Sequence, residues 1–316
     1  MKRNNRPMRY RRRGYGRRHS HLLWILPLAT ALVLLVGLVV AGNLLNRRNQ
    51  NPADTDAPPA QSDTPAVTER TPIRDVRAYP VMLETAEAGT FSDRLAVLVA
   101  AGRGEASVPL NTRDGRLLYR SQVGEQLGFV TDTDRSVTLT DALPAAKESG
   151  VYVSGVYYLT AFGEEDDLLR SVALSRSAAL LAEGLRAGLN DVLLIAPDLG
   201  SEHTDELIRF LDELHALAPG STVWLALGVA HYAAENAAWI ETLYGSVDYL
   251  ALEAVSPEDT DPVSALSAAM TDANIRYHLL HYHVRILIPS AADDAALAER
   301  IAIPEAEKFY NWQIVA

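Results

Sequence analysis

Two acidic residues follow apolar runs of the strand type, where a carboxyl group could transfer protons. Glu253 ends the run VDYLALE, and Asp198 follows the run DVLLIAP. Two carboxyl groups held close together can serve as acid and base in one reaction. Each residue could instead have a purely structural role. For Glu253 that role is an ion pair with Arg285. Asp198 precedes a helical run, and Asp is a preferred N-cap residue, so the sequence favours the cap there.

The alternation of side chains along a strand predicts the direction of Glu253. Tyr249, Ala251 and Glu253 fall on one face, and Leu250 and Leu252 fall on the other. Leucines suit a face that packs against helices. Glu253 is therefore predicted to point toward the inside of a closed sheet.

Aromatic residues near the predicted strands form a second set of candidates. Tyr158, Tyr232 and Trp312 could stack against flat rings of a ligand, although aromatic residues are also common in protein cores. Asp114 is a ligand-binding candidate too, but in the tripeptide Arg-Asp-Gly its simplest role is in a turn.

The chain has several histidines, but their spacing and neighbours do not match a known metal-binding motif. His278, His281 and His283 lie within RYHLLHYHVR, and His231 lies elsewhere. No carboxylate shares that segment, and the His-Glu-x-x-His pattern of zinc hydrolases is not present. The chain has no cysteine, which excludes disulfides and thiolate ligands. We predict neither a metal nor a cofactor.

The elements that must position these residues alternate between strands and helices. Eight runs have strand character: Arg77–Leu83, Ala106–Leu110, Val151–Leu159, Asp191–Ala196, Thr222–Gly228, Val247–Glu253, Val284–Pro289 and Asn311–Val315. Helical runs cover 140–149, 164–187, 202–217, 233–243, 262–280 and 293–301. This order predicts a parallel sheet covered by helices, and eight units over about 240 residues fit a (β/α)8 TIM-type barrel over 76–316.

The sequence leaves two alternatives to a complete eight-stranded barrel. The eighth strand run is followed by no closing helix, so the barrel could be shortened at its C-terminus or the count could be off by one. An open doubly wound sheet is the rival architecture. No glycine-rich phosphate loop follows any strand, which argues against its nucleotide-binding form.

The N-terminal region predicts a membrane anchor. Residues 22–45 run for 24 positions without a charge, enough to cross a bilayer as a helix. A cleaved signal peptide has a shorter apolar core. Nine Lys/Arg precede the run and only Arg47 and Arg48 follow it closely. The positive-inside rule then places residues 1–21 in the cytoplasm as a basic tail and the C-terminal domain outside, in a single-pass signal-anchor topology.

The remaining residues form a strongly acidic region behind a spacer. Residues 46–75 are rich in Pro, Asp, Thr and Ala without apolar periodicity, as in disordered linkers. Residues 49–316 hold 18 Lys/Arg against all 40 Asp/Glu, a net charge of −22. This charge makes nucleic acid an unsuitable partner for the ectodomain. The predicted partners are the membrane, through 22–45, and a glycan.

Several segments resemble the glycoside-hydrolase barrels of bacterial exported proteins, distant relatives of family 18 chitinase-type and amylase-type barrels. The segments are Asp114–Gly128 (DGRLLYRSQVGEQLG), Glu148–Phe162 (ESGVYVSGVYYLTAF), Ala182–Asp198 (AEGLRAGLNDVLLIAPD) and Val247–Pro257 (VDYLALEAVSP). The resemblance covers about 80–310 and implies a (β/α)8 barrel of sugar-cleaving ancestry. It also implies a ligand-contacting position at Asn111, where the family has lysine.

The same resemblance shows departures at the acidic positions of the family. Ala196 stands where the fourth strand should end in Asp, and Pro109 replaces an Asp on the second strand. Leu193, Ile195 and Pro197 occupy the positions of the inner acids in the chitinase signature.

Two hypotheses follow from the resemblance and its departures. The first is a membrane-anchored, glycoside-hydrolase-like barrel at the cell envelope, which binds or hydrolyses a glycan such as a cell-wall polymer, with Glu253 as general acid and Asp198 as second carboxyl. The alternative is an inactive pseudoenzyme that serves as a binding or scaffold module of an envelope complex.

Overall fold

Eight parallel strands form a closed barrel in the computed structural model, which describes residues 75–83, 90–131, 137–256 and 258–315. The strands are β1 (Arg77–Pro80), β2 (Glu105–Pro109), β3 (Tyr152–Tyr158), β4 (Asp191–Ile195), β5 (Val223–Gly228), β6 (Tyr249–Glu253), β7 (Arg285–Pro289) and β8 (Trp312–Val315). Each lies within or beside a run assigned from the sequence. The predicted (β/α)8 TIM-type barrel is confirmed, and the open sheet is wrong.

The barrel closes where β8 pairs with β1. Arg77 pairs with Trp312 and Ala78 pairs with Gln313 in parallel register. The Trp312 N–H donates to the Val76 carbonyl oxygen at 2.8 Å, which extends the pairing beyond the strands. The count of eight strands was therefore right.

Nine α-helices lie among the described residues, and most follow the predicted runs. They are α1 (Phe91–Ala100), α2 (Gln122–Leu127), α3 (Leu139–Glu148), α4 (Asp167–Ala187), α5 (Thr204–Leu217), α6 (Ala237–Ser246), α7 (Pro262–Thr271), α8 (Ala273–His281) and α9 (Asp294–Ala306). The sequence did not assign α1 and α2. The run predicted as one helix over 262–280 is two helices, because Asp272 leaves the helical conformation and caps α8 through the N–H groups of Asn274 and Ile275.

Side-chain alternation divides the apolar residues into two layers. Leu250 and Leu252 belong to the large cluster between the strands and the helices, whereas Tyr249 and Ala251 belong to a smaller cluster inside the barrel. The predicted alternation of β6 is thus confirmed. The inner cluster also holds Val156, Tyr158, Leu193, Ile195, Trp224, Ala226, Leu287 and Val315, which fill the middle of the barrel.

A buried polar network fills the end of the barrel where the strands begin. Arg285 Nη2 donates to Asp191 Oδ2 at 2.8 Å, and both residues have no exposed surface. The Tyr152 hydroxyl donates to the same oxygen at 3.0 Å. Arg285 Nη1 donates to Gln313 Oε1 at 2.7 Å, and Gln313 Nε2 donates to Ser107 Oγ at 3.0 Å. The apolar layer above separates this network from the opposite end, the mouth.

The predicted cytoplasmic tail 1–21, the membrane helix 22–45 and the linker up to residue 74 lie outside the described residues. Within the described ranges, no helix is both long enough and apolar enough to cross a bilayer.

Candidate functional site

A cleft of about 330 Å³ opens at the mouth, beside the ends of β4, β5 and β6. Its walls include Glu253 from the end of β6, Gly228 from the end of β5, and His231 and Asp259 from the loops that follow. Glu253 lies beside Gly228 in the strand register. Because glycine has no side chain, the wall next to the carboxyl group stays open.

Glu253 is half buried, and its environment changes its acidity. Burial raises the pKa of its carboxyl above the usual 4.5, and the positive charge of Arg113 offsets part of that rise. The predicted alternative of an ion pair with Arg285 is wrong. Arg285 is the first residue of β7, in the polar network at the far end of the barrel, where it pairs with Asp191.

Two further polar side chains line the cleft of Glu253. Nδ1 of His231 is buried and has no hydrogen-bond partner among the described residues, and its ring centroid lies 5.4 Å from that of Trp239. Asp259 accepts a hydrogen bond from the Ser256 N–H at 2.6 Å, which fixes its loop. The cleft therefore carries one acid on a strand and a second on a loop.

Asp198 lies outside the walls of this cleft, although its neighbours Ala196 and Pro197 line it. Its side chain is exposed, and Oδ2 would stand 2.9 Å from a Cβ placed on Gly163. The favoured N-cap role is also wrong. The helical turn after β4 begins at Ser201 with Gly200 at its N-cap position, and neither that turn nor α5 has a side-chain cap.

The opposite side of the mouth is built around Tyr158 at the end of β3. The Asn111 side chain donates to the Tyr158 carbonyl oxygen at 2.9 Å and accepts from its N–H at 2.8 Å. The guanidinium carbon of Arg113 lies 5.1 Å from the centroid of the Tyr158 ring. Burial raises the pKa of the Tyr158 hydroxyl, whereas the charge of Arg113 and a hydrogen bond with it lower that pKa. Asn111 is buried, and its amide group holds the end of β3 in place.

The other predicted ligand-binding residues have structural roles. Asp114 accepts a hydrogen bond from Arg116 Nε at 2.8 Å in a turn where Gly115 has a φ of +83°. Tyr232 is buried, and its hydroxyl donates to the Ala251 carbonyl oxygen at 3.3 Å. Trp312 is buried at the start of β8, away from the mouth, with its ring 5.3 Å from that of Tyr79. Neither aromatic ring presents a free face to a ligand.

The histidines are held by side chains and backbone rather than gathered in one place. His278 Nδ1 lies 3.2 Å from the Tyr244 hydroxyl, and His281 Nδ1 lies 2.7 Å from the Tyr277 carbonyl oxygen. His283 Nε2 lies 3.5 Å from Asp75. In the described part of the chain, no three His, Cys, Asp or Glu residues are placed to hold a metal ion.

Arg113 and Asp259 belong to the mouth and were not identified from the sequence. Both lie in loops directly after strand ends, Arg113 four residues beyond β2 and Asp259 six residues beyond β6. Their position directly after a predicted strand could have identified them as candidates, because active sites of such barrels form at these loops.

Comparison with known proteins supports the architecture. No protein-family model and no curated protein sequence matches the chain. Among solved structures, a GH113 β-1,4-mannanase has 10% identity and a TM-score of 0.50 over 77% of this chain and 88% of that one. The Bacillus cereus spore cortex-lytic enzyme SleL has 12% identity and a TM-score of 0.42 over 68% of this chain and 50% of that one.

A deoxyribose-phosphate aldolase from Coccidioides immitis has 9% identity and a TM-score of 0.42, over 76% of this chain and 79% of that one. At 10% identity, the match to the mannanase shows the shared barrel fold alone. The finer resemblance to family 18 chitinase-type barrels stays a prediction.

Proposed function

We propose that the protein is a membrane-anchored, glycoside-hydrolase-like barrel that binds a glycan at the bacterial cell envelope through the cleft beside Glu253. The eight-stranded barrel supports this proposal, as does a cleft at the strand ends where such barrels act on ligands. The cleft volume falls at the lower end of the usual range for small-molecule sites. A sugar residue of a polymer such as a cell-wall glycan suits that size.

One observation favours binding over cleavage. The final residues of the eight strands are Pro80, Pro109, Tyr158, Ile195, Gly228, Glu253, Pro289 and Val315, so Glu253 is the single acid among them. Glycosidases of the common type hold two carboxyl groups about 5–10 Å apart across the scissile bond. A mouth with one strand-borne acid can hydrogen-bond a sugar without providing that pair.

The test is to measure binding and cleavage of cell-wall glycan strands by the full-length chain. We expect binding without release of new reducing ends, and an affinity lowered about fivefold in Glu253→Ala, which loses a hydrogen-bonding group. Glu299→Ala, on the exposed surface of α9, is the matched control and should bind as the unaltered chain does. An absence of both binding and cleavage would contradict the proposal.

Hydrolysis is the second candidate function, because Asp259 lines the same cleft as Glu253. In that case Glu253, whose pKa is raised by burial, is the general acid. The second carboxyl is either Asp198, as the sequence predicted, or Asp259. Release of reducing ends that Glu253→Gln abolishes would establish this function. Asp198→Asn and Asp259→Asn would then identify the partner, since only the true one should lower the rate 100-fold or more, roughly the effect of losing an acid–base group.

The anchor and its topology are part of the proposal. The support is the uncharged run at 22–45 with nine basic residues before it, from which the positive-inside rule predicts a cytoplasmic N-terminus and an external barrel. Protease added to intact cells should digest or release the barrel while leaving a cytoplasmic marker protein intact. Protection of the barrel until the cells are lysed would contradict the topology.

A further inference from the structure

Arg113 is an exposed cation at the mouth, and its charge acts on Glu253 and Tyr158 without an ion pair among the described residues. The ion pairs formed by the described residues include Arg116 with Asp114, 2.8 Å apart in the same loop, but none involves Arg113. Its contact with Tyr158 includes a hydrogen bond with that residue and leaves the other N–H groups of the guanidinium able to bind a ligand. The loop thus presents one arginine neutralised by a neighbouring acid and one that is not.

The support beneath Arg113 is rigid. Tyr158 is buried, and its backbone N–H and C=O groups are both hydrogen-bonded to the side chain of Asn111. Asn111 itself is buried and lies two residues before Arg113 in the chain. The ring that carries the guanidinium is therefore fixed to the end of β3. A guanidinium held in place loses less entropy on binding than a freely moving one.

The position of Arg113 relative to Glu253 suggests how a ligand would lie. Arg113 follows β2 and lies over a residue of β3, whereas Glu253 ends β6. The two side chains are close enough for the arginine to lower the pKa of the glutamate. A ligand in the mouth would meet a cation on one side and the Glu253 carboxyl group on the other.

The negative net charge of the domain would make Arg113 selective among anionic ligands. Residues 49–316 carry a net charge of −22, which repels anionic polymers in general. An anionic group is held only where a local donor outweighs that repulsion. Arginine binds carboxylates through two parallel N–H···O bonds, a geometry that a neutral hydroxyl cannot match.

We infer that the Arg113–Tyr158 pair recognises a carboxylate on the bound glycan, so that the ligand is a sugar bearing an acid group and not a neutral polysaccharide. This inference rests on the proposed glycan binding and names the class of its ligand. Arg113 determines specificity, Tyr158 and Asn111 position it, and Glu253 contacts the neighbouring hydroxyls.

The test compares two forms of one glycan. Peptide-free cell-wall strands, whose muramic acid residues carry free lactyl carboxylates, are titrated into the full-length chain beside the same strands with those carboxylates amidated. We expect the acidic strands to bind at least about tenfold more tightly, as expected for a charged hydrogen bond. Arg113→Gln should remove that preference, and Arg113→Lys should restore only part of it because lysine cannot bind both oxygens in the same fork.

Arg116→Gln is the matched control, since it removes the same charge from the same loop at a residue already paired with Asp114. It should keep the tenfold preference. Equal binding of the two strand forms, or an equal loss in both arginine variants, would overturn the inference while leaving glycan binding intact. Binding of neither form would overturn both proposals.

Discussion

The two ends of the barrel contain the same three kinds of side chain in different states. At the end where the strands begin, Asp191, Arg285 and Tyr152 are joined by direct hydrogen bonds of 2.8 and 3.0 Å. At the mouth, Arg113 forms a hydrogen bond with Tyr158 but acts on Glu253 only through its charge, and the arginine is exposed. Each set consists of one acidic residue, one arginine and one tyrosine, so the residue types alone do not explain the difference between them.

The difference lies in where the charges find their partners. Arg285 uses both terminal nitrogens inside the protein and also lies 3.9 Å from the centroid of the Trp224 ring. Each member of a buried pair of this kind needs the other, because either one alone would be a buried charge without solvent. The mouth set leaves hydrogen-bonding capacity for a ligand. One barrel thus holds a structural triad and a second set of similar chemistry for which we propose a binding role.

Removal of Arg285 should have the largest effect on stability. Arg285→Met leaves Asp191 charged and buried, and we expect the free energy of unfolding to fall by about 3–5 kcal/mol in a urea titration. The double variant Asp191→Leu/Arg285→Met should recover much of that loss, since apolar replacement of both partners is often close to neutral. A single variant as stable as the unaltered chain would show that the lower network is not structural.

Asn111 should give the next largest effect, because it connects the two loops that form the mouth. Asn111→Ala leaves the buried N–H and C=O groups of Tyr158 without partners, and we expect a loss of about 2 kcal/mol in unfolding free energy. At a pH low enough to protonate the new carboxyl group, Asn111→Asp keeps an acceptor for the N–H and a donor for the C=O, and it should lose less. If Asn111→Ala unfolds like the unaltered chain, Asn111 does not fix Tyr158.

The ionisation of Glu253 should make the free energy of unfolding depend on pH. Burial raises its pKa in the folded state above 4.5, so the folded chain holds more protons than the unfolded chain as the pH rises past 4.5. Stability therefore falls through that window and stays lower above it. Glu253→Gln should remove this fall and be more stable at pH 8, by about 1 kcal/mol or less, but not at pH 4.

The control for that measurement is Glu299→Gln on the exposed surface of α9, which should change little at either pH. A Glu253→Gln variant that is less stable than the unaltered chain at pH 8 would mean that the ionised carboxyl is stabilised by a partner. The charges at the mouth would then be paired within the protein, as in the set of Asp191, Arg285 and Tyr152.

Arg113→Gln should have the smallest effect on stability. The Arg113 side chain is exposed, and a cation–π contact at an exposed site contributes about 0.5 kcal/mol. Thermal unfolding should show a shift of no more than about 2 °C. A loss comparable to that of Arg285→Met would contradict the distinction between the two ends of the barrel.

The sequence predicted the fold and the direction of Glu253 because both depend on local patterns. The alternation in Tyr249-Leu-Ala-Leu-Glu253 shows which residues face inward, and the order of strands and helices shows the architecture. Both are confirmed by the inner and outer apolar clusters. The assignment of Glu253 as a functional residue stays a prediction.

The partners of these residues depend on contacts between distant parts of the chain. Asp191 and Arg285 are 94 positions apart, and Ser154 and Gln313 are 159 positions apart, yet each pair is hydrogen-bonded. The strand runs Val284–Pro289 and Asn311–Val315 did place Arg285 and Trp312 near strand starts, at the end of a parallel barrel opposite to Glu253. The partners that these two side chains find at that end were not visible in any local pattern.

The pairing of β1 with β8 also constrains when the domain can fold. The Val76 N–H donates to Asn311 Oδ1 across 235 positions of sequence. At typical synthesis rates of about 5–20 residues per second, β1 emerges roughly 10–50 seconds before its second neighbour. During that interval one edge of β1 is unpaired, and such edges invite aggregation. A chaperone that holds the growing chain should therefore increase the yield of folded barrel more than one supplied after synthesis is complete.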